Sequence, residues 1–160
     1  QLFLSLSLPR PAPGAPAAPA GPSASPAASR EVLQQWWRER MGNLPAPQID
    51  NGSGLSRQER ISALALARLL QSAYQSPWMP ELMASLPIAG IDGTLRRNRS
   101  GAVGSAHLKT GSLRDVRALA GYVLATSGRR YVVVALINHP EANAGRPALD
   151  SLLEWVIRQH

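Results

Sequence analysis

Ala106-His107-Leu108-Lys109-Thr110-Gly111-Ser112-Leu113 is the stretch on which the fold turns. It reads as one strand, and two further strand-like runs follow it closely. Leu119 to Thr126 and Arg130 to Asn138 are apolar and rich in β-branched residues, and Ser127-Gly128-Arg129 between them is a hairpin signal. The core of the last run, Tyr131-Val132-Val133-Val134-Ala135-Leu136-Ile137, is almost unbroken in apolar residues, so it is expected to be covered on both faces. A helix is expected from Ala148 to about Gln159, with Leu149, Leu152, Leu153, Val156 and Ile157 on the side that packs on this sheet.

Upstream, the pattern is helical and then irregular. Ser62 is placed to cap a helix whose wide apolar face holds Leu64, Leu66, Ala67, Leu69, Leu70 and Ala73. Ser76-Pro77 opens a short helical piece that ends before Pro87, and Ile88 to Ala106 is loop-rich. Leu44 to Ser56 is turn chemistry. A helix is expected from Arg30, capped by Ser29, with Val32, Leu33, Trp36, Trp37 and Met41 on one side and Gly42-Asn43 as its stop.

The first residues differ in kind. Seven of the 14 prolines fall within the first 26 positions, and Pro9 to Ser29 is almost wholly Pro, Ala, Gly and Ser. Such a composition cannot bury enough apolar surface to offset the entropy of ordering it, so a flexible linker is expected. Leu2 to Leu8 has the apolar character of a signal-peptide core but no basic flank before it, and a fragment is the expected reading. The residues therefore read as 9–29 linker and 30–160 folded domain.

Composition excludes several functions. With 44% hydrophobic and 17% charged residues the chain is of a globular class. The absence of cysteine removes disulfides, thiolate nucleophiles and Cys-based zinc sites. His107, His139 and His160 are too far apart, and too poorly supported by carboxylates, to suggest a metal site. No apolar run approaches the roughly 20 residues that span a bilayer. The net charge of +7 comes from sixteen arginines and one lysine. Nucleic acid is thus the first basic partner to weigh, but the arginines are scattered, clustering only at Arg96, Arg97 and Arg99, where a phosphate-tracking surface needs a denser stripe.

The one lysine, Lys109, is followed by Thr110 and Gly111, a coincidence expected on the order of one time in a hundred for a given lysine. A strand at a sheet edge can present an ammonium and a hydroxyl to a carboxylate, while glycine permits close approach of a substrate backbone. A strand ending in an exposed lysine and a turn is the plain alternative. Asp92-Gly93-Thr94 reads as a turn, and Gly52-Ser53-Gly54 lacks the strand context of a hydrolase elbow.

Four stretches resemble, in order and spacing, the end of the class C low-molecular-mass penicillin-binding proteins, the D-alanyl-D-alanine carboxypeptidase/endopeptidase family. They are Asp50 to Arg57, Leu86 to Arg96, His107 to Leu113 and Ala118 to Val123. The resemblance implies an α/β (α+β) chain, the C-terminal part of the penicillin-binding serine transferase (β-lactamase-like) fold, with an antiparallel sheet hairpin flanked by helices. It also implies that 1–8 are the remnant of an upstream helix and that Lys109, Thr110 and Gly111 are the third motif of a serine acyl-transferase site. Lys109 and Thr110 would hold the terminal carboxylate of a peptidoglycan stem peptide ending in D-Ala-D-Ala, and the Ser112 N–H would be an oxyanion donor. β-Lactams would be inhibitors of the full protein, the location would be periplasmic, and no cofactor is implied. No serine here has lysine three positions later or asparagine two positions later. The 160 residues by themselves are therefore expected to hydrolyse nothing, and a non-catalytic peptidoglycan-binding module is the alternative reading.

Overall fold

The computed structural model describes residues 2–8, 24–96 and 101–160. Most of the expected linker lies outside the described residues, as do Arg97 and Arg99 of the arginine cluster. The chain divides into two compact units, Gln1–Ala65 and Leu66–His160.

In the first unit a single helical turn, α1 (Leu2–Ser5), precedes the long helix α2 (Pro26–Met41). The expected start of α2 at Arg30 is corrected by four residues. Ser25, not Ser29, is the N-cap: its side chain accepts from the Ala28 N–H at 3.2 Å, and Pro26 opens the helix, where its fixed φ and missing N–H do no harm. Ser29 is instead buried inside the first turns, with its hydroxyl directed at the Leu4 carbonyl 3.3 Å away. Of the apolar side expected for this helix, Trp37 is buried and donates its indole N–H to the Leu44 carbonyl, whereas Val32 and Trp36 are exposed. The Pro- and Gly-rich loop after α2 is pinned by a pair of backbone hydrogen bonds between Gln48 and Arg60, and Arg30 donates to the Asp50 carbonyl at 2.7 Å.

The next helix, α3 (Ala63–Tyr74), is capped as expected, Ser62 accepting from the Ala65 N–H at 3.1 Å. Leu70 is buried on it, but Leu64 is exposed. In the second unit α4 (Met79–Ser85) and a 3-10 turn at Gly93–Leu95 lead to the sheet. Its strands β1 (Ala106–Leu113), β2 (Val116–Leu124) and β3 (Arg130–Asn138) form an antiparallel meander in the order β1-β2-β3. A second 3-10 turn, Ala142–Gly145, precedes α5 (Arg146–Ile157).

β1 and β3 run as expected. β2 begins three residues earlier than its apolar run suggests, because Arg114-Asp115 alone makes the turn and pairs Leu113 with Val116. The expectation that β3 is covered on both faces is corrected too. Only Val133 is buried, and the other apolar residues of the run are half-buried, as suits a strand with one neighbour.

One face of the sheet carries the core. Ala106 and Leu108 of β1, Leu119 and Val123 of β2 and Val133 of β3 pack with Leu153, Val156 and Ile157 of α5, and Leu149 and Leu152 flank them. The apolar side expected for α5 is therefore the one that packs. On the opposite face Tyr122 is 1% exposed; its hydroxyl donates to the Leu70 carbonyl of α3 at 2.7 Å, and its ring lies 5.5 Å from that of Tyr74. Burial, and then Tyr74, raise the Tyr122 phenol above its ordinary value.

Gly121 is what lets β1 and β2 lie this close. At φ 151° a Cβ on it would collide with the His107 carbonyl oxygen, so no other residue fits without moving the ladder.

Candidate functional site at the open end of a strand

The site is built by the way β1 loses one of its two neighbours. On the side away from β2, the Ala106 carbonyl accepts from the Ala89 N–H and the Leu108 N–H donates to the Pro87 carbonyl, each at 2.9 Å. The segment Pro87–Ala89 thus acts as a short fourth strand over the first half of β1. It is held in its turn by Asp92, whose carboxylate accepts from the Ile88 N–H. Beyond Leu108 no such cover is found among the described residues.

In an antiparallel ladder the residues alternate, each directing both backbone groups to one neighbour or to the other. Since Ala106 and Leu108 turn theirs away from β2, Thr110 and Ser112 do the same, and their N–H and C=O groups lie along the open edge. The Thr110 carbonyl accepts there from the Lys109 ammonium at 2.6 Å. Lys109 and Gly111 turn their own backbone groups to Ala120 and Ala118 of β2.

Side chains alternate as well, and this separates the motif residues. Thr110 and Ser112 share the α5 face with Leu108, and they line a cleft of about 150 Å³ with Gly111. Arg117, the cross-strand partner of Ser112, lines it too, as do Thr94, Arg146 and Asp150. The Thr94 and Thr110 hydroxyls are 2.6 Å apart. Lys109 is exposed on the other face, the side of His107 and Tyr122, and does not line the cleft. The structure therefore brings Thr110, Gly111 and Ser112 to one cleft, while Lys109 is rooted on the other face and carries its ammonium round to the Thr110 carbonyl at the open edge. Beside Lys109 on that face, the buried Nδ1 of His107 has no hydrogen-bond partner among the described residues.

Sequence reasoning missed Thr94, Arg117 and Arg146. Asp92-Gly93-Thr94 is a turn, as expected, but one that delivers a hydroxyl to Thr110. Arg117 was legible in principle. Recognising the two-residue turn at Arg114-Asp115 sets the register and puts Arg117 opposite Ser112. Among the described residues no group of acidic, histidine or cysteine side chains is arranged to hold a metal ion, and no helix is long and apolar enough to cross a membrane.

A three-stranded antiparallel sheet with a C-terminal helix on one face and a helical region on the other, edged by a Lys-Thr-Gly strand, defines a piece of the penicillin-binding fold. Residues 23–158 match the model of the D-Ala-D-Ala carboxypeptidase 3 (S13) family, and the chain belongs to that family. It is 38% identical over 110 residues to carboxypeptidase DacB of Mycolicibacterium smegmatis, covering 64% of this chain and 24% of that protein. It is 39% identical over 87 residues to the D-alanyl-D-alanine carboxypeptidase of Actinomadura sp. strain R39, covering 50% of this chain and 16% of that one. The fold resembles that of penicillin-binding protein 4 from Haemophilus influenzae, solved in complex with a β-lactam, with a TM-score of 0.69 at 23% identity over 82% of this chain and 34% of that one. The chain thus spans a quarter or less of the length of these curated relatives.

Proposed function

We propose that this chain is the carboxyl-terminal part of a serine-type D-Ala-D-Ala carboxypeptidase or endopeptidase that trims peptidoglycan stem peptides in the bacterial periplasm. In this reading residues 26–160 contribute one wall of the catalytic domain, the Pro- and Ala-rich stretch before α2 is a linker and 1–8 continue an upstream helix. The acylating serine with its lysine, and the Ser-x-Asn motif, belong to the rest of the parent protein, because neither pattern occurs in these 160 residues.

The single observation that carries the reading is the half-open edge of β1. In this reading a peptide laid along Thr110 to Ser112 pairs strand-like with backbone groups that turn away from β2, taking the place of the Lys109 ammonium at the Thr110 carbonyl, and the Ser112 N–H serves as an oxyanion donor. In the reaction, the serine oxygen attacks the carbonyl carbon of the penultimate D-alanine, and negative charge develops on the carbonyl oxygen. A backbone N–H fixed by its own strand stabilises that charge without having to reorganise, which is why such a donor accelerates the step. The amide bond then breaks, D-alanine leaves with a proton, and water hydrolyses the ester. Thr110 and Lys109 serve the carboxylate of the departing residue. β-Lactams stop at the ester stage.

The test is fluorescent-penicillin labelling of the full-length parent. Lys109→Ala is expected to reduce labelling by at least about 100-fold, the scale of losing a charged group from an acylation site. Undiminished labelling would remove Lys109 from the third motif.

A further inference from the structure

Alternation roots Lys109 on the far face, and its ammonium ends on the Thr110 carbonyl at the strand edge, not on the cleft side. That side nevertheless has cations. Arg117 and Arg146 line the cleft, one from the strand next to β1 and one from the first turn of α5, together with the hydroxyl-bearing Thr94, Thr110 and Ser112. Asp150 lines it as well and is itself engaged by a neighbour. Two guanidinium groups against one carboxylate leave the cleft net positive.

We propose that Arg117 is the specificity-determining cation of this site: it receives, with Thr110, the terminal carboxylate of the departing amino acid. The inference rests on the function proposed above and names a residue that the motif does not contain. Three observations carry it. Arg117 stands directly opposite Ser112 in the ladder, so its side chain emerges on the Thr110 face and not on that of Lys109. The partner given to its guanidinium is the side-chain oxygen of Asn143, a neutral amide that orients the group without cancelling its charge. Thr94, Thr110 and Ser112 line the same cleft as Arg117, so hydroxyl donors stand beside the guanidinium, a set suited to a carboxylate.

The chemistry favours arginine in this place. A guanidinium offers a planar fork of donors that matches a carboxylate in a bidentate pair, and it stays charged at any pH the enzyme meets. Arg146 also lines the cleft and adds a second charge, more exposed than that of Arg117.

The experiment compares two peptides in the full-length enzyme, one ending in D-Ala-D-Ala with a free carboxylate and the same one ending in a carboxamide. The readout is the ratio of their kcat/KM values, which is independent of the fraction of protein correctly folded. Arg117→Gln is expected to lower this preference for the free acid roughly 10- to 100-fold, mainly through KM, because a site built for a charge rejects the wrong ligand on that scale. Arg117→Lys should keep part of the preference, and Arg146→Gln should lower it less. If Arg117→Gln folds poorly, the other two variants decide. An unchanged preference in the variants overturns the assignment of Arg117 while leaving the enzyme's function standing. A parent protein that neither cleaves the peptides nor takes up penicillin sinks the functional reading, and this inference with it.

Discussion

The two halves of β1 obey one ladder and meet opposite surroundings. Ala106 to Leu108 is paired on both edges, by β2 and by Pro87–Ala89, and its inward side chains are 0% exposed. Lys109 to Leu113 continues the same pairing with β2 but, among the described residues, has no strand on its other side, and its residues are exposed or half-buried. In the first half the Ala106 C=O and the Leu108 N–H are taken up by Pro87–Ala89, which covers that edge. In the second half Thr110 and Ser112 offer theirs outward. A free strand edge is ordinarily a hazard because it templates further pairing. Here it is short and bordered by the Lys109 ammonium and by Arg117, and it is the place where the candidate chemistry lies. Rigidity in one half is what gives aim to the other.

That contrast can be broken most severely at Gly121, the partner of Leu108 in the closed half. Gly121→Ala puts a methyl group against the His107 carbonyl, and the full-length protein is expected to lose about 3 kcal/mol or more of stability, read as a large fall in its urea midpoint. Near-normal stability would mean that the two strands are not so close.

A smaller effect belongs to the packing behind the closed half. Tyr122→Phe removes the donor to the Leu70 carbonyl and should cost about 1 kcal/mol at neutral pH, measured by the same unfolding curve. The sign at high pH is opposite. Because the Tyr122 phenol is raised in the folded state, above the ordinary value of 10, the stability linked to it is intact below pH 10 and is lost as pH rises toward and through the folded value. The wild-type protein should therefore weaken faster than Tyr122→Phe above pH 10.

The smallest effect on stability is expected in the open half. A Cβ on Gly111 would meet only that of Ala118, at 3.5 Å, an ordinary contact. Gly111→Ala should change stability by no more than about 0.5 kcal/mol. If a peptide does lie along this edge, the same substitution should still slow its turnover, as measured by D-alanine release. A fold-neutral variant with full turnover would argue that substrate does not approach the backbone here.

Much of this architecture was legible in the residues. The β-branched run of β3, the Ser127-Gly128-Arg129 hairpin, the cap at Ser62 and the apolar side of α5 are local signals, each decided by neighbours a few positions away. The errors were local as well. Ser25-Pro26 is a clear helix opening that was hidden by the Pro- and Ala-rich composition around it. Arg114-Asp115 carries no glycine to mark a turn, and so the start of β2 was set too late.

The sequence by itself determined which segments become strands and helices, that a lysine, a threonine and a glycine stand together near a strand's end, and which family's motifs the chain bears. Only the tertiary structure decided that Lys109 and Thr110 lie on opposite faces, that Pro87–Ala89 covers β1 as far as Leu108 and no farther, and that Thr94, Arg117 and Arg146 share a cleft with Thr110. The reason is physical. Propensity and periodicity are properties of neighbours along the chain, whereas a binding cleft is assembled by ladder register and helix packing between residues tens of positions apart.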